Sequence, residues 1–107
     1  MAVYVDQPLF RLGRMRTCHM WADRLDELHA FARRLDRGLP AHFQRPPAAS
    51  WEHYDIGPRL RQRALALGAI ETDRYGCVEH VARLSGDTER LARVARLRAR
   101  KAEAVPV

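Results

Sequence analysis

Histidine and acidic side chains stand together at the ends of short apolar runs in this sequence, and these residue types can do chemistry. The clearest case is WEHYDIGP at 51–58, where His53, Tyr54 and Asp55 precede a Gly-Pro pair. Neutral imidazole and carboxylate groups are good ligands for zinc, manganese or iron. A carboxylate can also orient a histidine that acts as a general acid or base. The stretch therefore predicts either a divalent-metal site or an acid–base site.

Two other apolar runs carry the same residue types. Asp6 follows AVYV, and the run TCHMWA contains His19 and is followed by Asp23. If such runs are parallel strands, their carboxyl ends meet at one edge of the sheet, where ligands bind beside helix N-termini. We therefore predict that the three strand ends face one crevice. The candidate metal ligands are Asp6, His19 and Asp55, and the candidate catalytic residues are His53, Asp55 and Asp23.

Structural interpretations compete with these roles. Asp23 and Asp55 could each cap a following helix, and His19 could be a core histidine with a satisfied hydrogen bond. Strand alternation puts His53 and Asp55 on one face and Tyr54 on the other, which favours His53 with Asp55 as the working pair and Tyr54 as packing. The candidate substrate contacts are Tyr54, Gln44 and Arg63, of which the arginine could steady an anion.

The elements that would position these residues alternate along the chain. We predict strands at AVYV, at 17–22, at 50–56 and at 69–72, with a loop at 11–16. An apolar stripe at helical spacing predicts a helix from an Asp23 cap to Gly38, comprising Leu25, Leu28, Phe31, Ala32 and Leu35. Pro58 opens a second helix that Gly68 ends. This order predicts an α/β fold with a small, largely parallel three- to four-stranded sheet, two covering helices and a C-terminal helical extension.

Length and composition limit the class of protein. A chain of 107 residues suits one α/β core domain at 1–76, followed by a basic helical extension at 77–107. No apolar run is long enough to span a membrane and no signal peptide is recognisable, so the expected location is the cytoplasm. Cys18 and Cys77 lie outside any CxxC, which argues against a zinc knuckle or a thioredoxin-type pair.

The C-terminal extension carries much of the formal net charge of +6, since residues 77–107 contain 7 basic and 4 acidic groups. In the helix predicted at 87–102, Arg93, Arg96 and Arg100 share one side and could follow a phosphate backbone. A solvated charged face is the commoner explanation, and no aromatic residue is interleaved to stack bases. A thin apolar stripe on the same helix could instead form a homodimer seam.

Several unusual segments occur in an order that resembles one family. They are VYVD at 3–6, CHMWAD at 18–23, DELHAFARRLDRGLP at 26–40, HFQ at 42–44, HYDI at 53–56 and RQRALALGAIE at 61–71. The chain resembles domain-of-unknown-function family 4031, small proteins of bacteria and their phages, over roughly residues 1–72. Residues beyond about 76 are expected to lie outside the resemblance. A second aspartate often follows VYVD in that family, whereas this chain has Gln7.

The resemblance implies a recurring polar set but no chemistry. That set is Asp6, His19, Asp23, Glu27, His29, Gln44, His53, Tyr54 and Asp55.

From the residues, we predict a hydrolase that uses a divalent metal (zinc, manganese or magnesium) on a small anionic, phosphate-containing or nucleotide-like substrate. The phosphate class follows only from the basic charge and the helix N-termini. No HExxH, GxSxG, Walker A or GxGxxG motif supports it. The alternative is a non-catalytic adaptor that binds nucleic acid or protein through the basic C-terminal helix.

Overall fold

The computed structural model describes residues 2–8 and 10–103. The chain divides into two compact units, Met1–Arg74 and Tyr75–Val107. The first unit contains the sheet, and the second contains two helices.

One long central strand organises the sheet of the first unit. The strands are β1 (Val3–Val5), β2 (Phe10–Leu12), β3 (Met15–Ala22), β4 (Tyr54–Ile56) and β5 (Ile70–Glu71). β3 pairs antiparallel with β1, β2 and β4, while β5 pairs parallel with β1. The α/β class is confirmed, but the prediction of a largely parallel sheet is wrong. The sheet is mixed, with one parallel pair among the described strands.

A hairpin at 11–16, where we predicted a loop, explains the reversed direction of β3. Leu12 of β2 pairs with Met15 of β3, which leaves a two-residue turn between the two strands. Gly13 has φ 63° in that turn, a left-handed conformation that glycine adopts without steric cost. The hairpin turns the chain back, and β3 pairs antiparallel with β1 as well as with β2.

Two helices cover one face of this sheet. They are α1 (Leu25–Leu35) and α2 (Pro58–Ala66), and a short 3₁₀ turn spans Leu39–His42. The predicted apolar stripe of α1 is buried except at Leu25, which is 41% exposed. The N-cap residues are Arg24 and Gly57, and neither makes a side-chain capping bond. The interpretation of Asp23 and Asp55 as helix caps is therefore wrong.

Alternation along β3 separates the two faces of the sheet. Cys18, Met20 and Ala22 belong to the buried apolar cluster that includes residues of α1. His19 and Trp21 point to the opposite face because successive strand residues alternate. The core and the candidate site therefore use opposite sides of the same strand.

The second unit is a helical pair. α3 (Gly76–Ser85) ends at Gly86 in the left-handed conformation with φ 69°, and α4 (Thr88–Glu103) follows. Ala82 of α3 and Val94 of α4 are buried. A last helix is thus confirmed, and dimerisation through it stays a prediction. In the part of the chain that the structure describes, no helix is both long and apolar enough to cross a membrane.

Candidate metal centre

Strand register aligns three polar residues across β1, β3 and β4. Val5 pairs with Met20, and the backbone N–H of Asp6 next along donates to the carbonyl of His19 at 3.3 Å. His19 pairs directly with Asp55. Residues opposite each other in a sheet project their side chains from the same face. Asp6, His19 and Asp55 therefore meet because of the register, not because three parallel strands end together.

Asp6 fixes the orientation of the His19 ring. Its Oδ1 accepts the backbone N–H of His19 at 2.6 Å, and its Oδ2 lies 2.7 Å from the ring Nδ1. A carboxylate only accepts hydrogen bonds, so Nδ1 carries the ring proton and Nε2 of the neutral ring carries none. This Nε2 lies 3.9 Å from Oδ1 of Asp55.

His53 presents its ring to the same carboxylate. Reciprocal backbone hydrogen bonds of 2.9 and 3.0 Å join it to Gln44, immediately before β4. Its Nδ1 lies 2.9 Å from the carbonyl oxygen of Trp51, which can only accept, so Nδ1 is again the protonated nitrogen. Its Nε2 lies 3.3 Å from Oδ1 of Asp55. Both imidazoles thus turn a lone pair toward one carboxylate.

The spacing of these atoms suits a metal ion. Ligand atoms of His19, His53 and Asp55 all lie within 4.8 Å of one another. Tetrahedral zinc with bonds of about 2.1 Å separates its ligand atoms by about 3.4 Å. Movements of well under 1 Å bring the two measured nitrogen–carboxylate distances to that value. In metal sites the outer ring N–H of a ligating histidine likewise donates to a carboxylate or a backbone carbonyl.

Aromatic rings shield the histidines while the carboxylate stays accessible. Trp51 stacks on His53 with ring centroids 4.3 Å apart, and His19 meets both rings edge-on. The side chains of His53, His19 and Asp55 are 8%, 15% and 39% exposed, respectively. Burial lowers the pKa of His53 below its usual range, so its ring is neutral near pH 7 and able to bind metal. The accessible side of the cluster is therefore that of Asp55.

Asp23 does not join this cluster, so the prediction of one crevice for all three acids is wrong. Because β3 runs antiparallel to β1, Asp23 lies four residues beyond His19, about 13 Å along the strand. Its Oδ2 lies 3.5 Å from the hydroxyl of Tyr4 instead.

The three predicted substrate contacts also lie elsewhere or act differently. Tyr54 has no exposed surface and its hydroxyl lies 2.8 Å from Nδ1 of His29, so the packing interpretation fits and a contact with substrate does not. Arg63 is exposed and lines a concavity of α2 beside Arg59. The side-chain amide of Gln44 donates to a backbone carbonyl in the preceding turn at 3.3 Å, while its backbone holds His53.

Arg61 is the arginine that supports the cluster, and our sequence analysis missed it. Its Nε donates to the backbone carbonyl of Asp6 at 2.9 Å, and its Nη2 donates to Oε2 of Glu71 at 2.9 Å. The guanidinium holds the pKa of Glu71 below its usual range. Helical spacing indicates that Arg61, rather than Arg63, faces the sheet, because Arg61 lies one turn before the buried Ala64.

Cys18, although adjacent to His19, is a core residue. It is 1% exposed, and burial, aided by the Asp6 charge, raises the pKa of its thiol to about 12. We expect the folded Cys77→Ser variant to show no rapidly reacting thiol toward Ellman's reagent near pH 8, because the thiolate is the reactive form. The Cys18→Ser variant, which keeps the half-buried Cys77, is the matched comparison. Rapid labelling of Cys18 in the folded protein would contradict this assignment.

Comparison with known proteins identifies the family region without assigning a reaction. Residues 3–84 match the profile of a family described as "Protein of unknown function (DUF4031)". No curated protein and no solved structure matches the chain. The match extends past the limit of about 76 that we expected, so it includes nearly all of α3.

Proposed function

Since the chain belongs to the DUF4031 family, whose function is unknown, we propose from the site itself that the protein is a metal-dependent hydrolase of phosphate-containing or nucleotide-like substrates. One observation carries the proposal. Two imidazoles, each with its Nδ1 held by an acceptor, direct Nε2 toward the carboxylate of Asp55.

The proposed ligands are Nε2 of His19, Nε2 of His53 and the Asp55 carboxylate. We assign Asp6 as the group that orients His19 rather than as a ligand, because both its oxygens already accept hydrogen bonds from that residue. Two histidines and a carboxylate form the protein ligands of catalytic zinc sites, which keep one position open. Magnesium prefers oxygen ligands, so the donor set favours zinc over magnesium.

The metal and the residues around this site would have different roles in a hydrolysis. A divalent metal would supply Lewis-acid polarisation of a phosphoryl oxygen. Asp55 is the most exposed member of the set and has a second carboxylate oxygen that can accept the proton of an attacking water. Trp51 covers His53 and limits solvent on the side away from the substrate.

Charge supports an anionic substrate. Residues 1–74 contain 12 arginines and 9 acidic residues, and the whole chain has a formal net charge of +6. A positive field of this kind raises the local concentration of anions and speeds their encounter.

The proposal is tested by metal removal and return. Protein dialysed against a chelator is titrated with Zn²⁺ or Co²⁺ by calorimetry and cobalt absorption spectroscopy. Turnover is then measured on phosphomonoesters, phosphodiesters and nucleotides. We expect one equivalent of metal and activity that depends on it. Failure to bind one equivalent would overturn the proposal, and binding without turnover of any of these esters would overturn its hydrolytic part.

The 2.7 Å contact between Asp6 and His19 favours a second candidate, an acid–base site without metal. In that case a carboxylate orients the histidine and its Nε2 exchanges protons with the substrate. Activity that survives chelation and is lost in His19→Gln would identify this mechanism.

Asp6→Asn separates orientation of a ligand from ligation. An asparagine cannot accept hydrogen bonds at both of its side-chain atoms, so the His19 ring loses part of its support. We expect zinc affinity to fall about 10–100-fold with the binding stoichiometry unchanged, the usual effect of removing a group behind a metal ligand.

Asp36→Asn, at an exposed acid following α1, is the control for this experiment and makes the same change in charge. Complete loss of metal from a folded Asp6→Asn protein would instead indicate that Asp6 is itself a ligand.

A further inference from the structure

One side of α4 carries three exposed arginines, Arg93, Arg96 and Arg100. We call these residues the arginine face. Their spacing of three and four residues places them on the same side of the helix. At 1.5 Å per residue, they extend about 10 Å along its axis.

Two acidic residues of the second unit, Glu79 and Asp87, pair with arginines outside the arginine face. Glu79 forms ion pairs with Arg98 and, at 3.5 Å, with Arg83. Asp87 lies 3.6 Å from the Arg90 guanidinium and accepts the backbone N–H of the same residue at 3.0 Å. Among residues 2–8 and 10–103, no ion pair involves the arginine face.

Charge along α4 increases toward its C-terminus. Glu89 lies one turn before Arg93, and after it the next acidic residue is Glu103. The interval between these two acids holds Arg90, the arginine face, Arg98 and Lys101. Between Glu89 and Glu103 the helix therefore carries six basic residues and no acidic one.

We propose that the arginine face binds the phosphate backbone of nucleic acid without sequence preference. Guanidinium groups make forked, charge-assisted hydrogen bonds to phosphate, and a row of them can contact successive phosphates of one strand. α4 has no aromatic residue for stacking on bases, so binding depends on the backbone. The large apolar residues of α4, Leu91 and Leu97, lie three residues from the buried Val94 on its side of the helix, so the arginine face has little to insert into a bilayer.

Salt dependence provides the sharpest test. Binding of the full chain to fluorescent duplex DNA, single-stranded DNA and RNA of mixed sequence is followed by anisotropy over a range of salt, with chelator present. For duplex DNA, each phosphate contact contributes about 0.9 to the slope of log affinity against log salt. We expect the triple variant Arg93→Gln, Arg96→Gln, Arg100→Gln to lower that slope by up to about 2.7.

Matched variants separate a specific face from overall charge. The control Arg34→Gln, Arg37→Gln, Arg45→Gln removes the same charge from exposed arginines of the first unit and should keep the slope. The triple lysine variant of the arginine face should also retain most of the slope, since it keeps the charge. Equal slopes for the two glutamine variants would overturn the proposal. The proposal would also be overturned if the protein bound vesicles of anionic lipid more tightly than nucleic acid and if that binding were lost in the glutamine variant of the arginine face. Because chelator is present throughout, the result does not depend on the proposed metal site.

Discussion

We expect His19→Ala to abolish stoichiometric zinc binding and also to destabilise the fold. Asp55→Asn should abolish the binding and leave stability unchanged. His19 provides one proposed ligand and also accounts for both side-chain hydrogen bonds of Asp6, which is 4% exposed. Alanine keeps the backbone N–H but leaves Oδ2 of the buried carboxylate without its ring partner. A stranded buried acceptor costs about 1–3 kcal/mol, and more when it is charged. Asp55 is 39% exposed in its side chain, so its replacement by asparagine strands no buried group.

Calorimetric titration with Zn²⁺ and denaturant unfolding of the metal-free protein measure the two effects separately. Loss of a ligand should weaken binding by more than the roughly 10–100-fold expected for a group behind a ligand. His42→Ala, an exposed histidine outside the cluster, is the control and should change neither quantity. Zinc affinity unchanged in either His19→Ala or Asp55→Asn would show that the metal binds elsewhere.

Leu28→Ala is expected to cost about 2–5 kcal/mol of the free energy of unfolding, the range for truncating a core leucine. Leu28 is fully buried in the cluster between α1 and the sheet. Leu25 begins the same helix but is 41% exposed, so Leu25→Ala should change stability by no more than about 0.5 kcal/mol. Tryptophan fluorescence follows the unfolding of the first unit, because Trp21 and Trp51 are the only tryptophans of the chain. Equal losses in the two variants would contradict the placement of α1.

Local patterns predicted some elements of this protein well. The apolar period indicated α1, and Pro58 marked the start of α2. Strand alternation correctly placed His53 and Asp55 on one face, because that inference needs only two neighbouring residues and the geometry of an extended chain.

Local patterns do not predict the direction of β3 or the register in which it pairs with its neighbours. The turn at Gly13 is so short that the basic residues on either side of it look like a loop, and a loop there predicts a β3 parallel to β1. That one error moved Asp23 into the predicted site. The roles of Asp6 and Arg61 depend on which backbone groups they meet across strands, and residue type alone does not specify a hydrogen-bond partner.

One face of β3 packs in the core and the other carries His19, so a change in the register of this strand would affect the core and the site together. A single residue inserted or deleted between Gly13 and His19 would slip the strand by one position, and a one-position slip exchanges the two faces of a strand. The imidazole of His19 would then enter the apolar interior while Cys18 or Met20 turned outward. This segment of the chain should therefore tolerate substitutions far better than changes in its length.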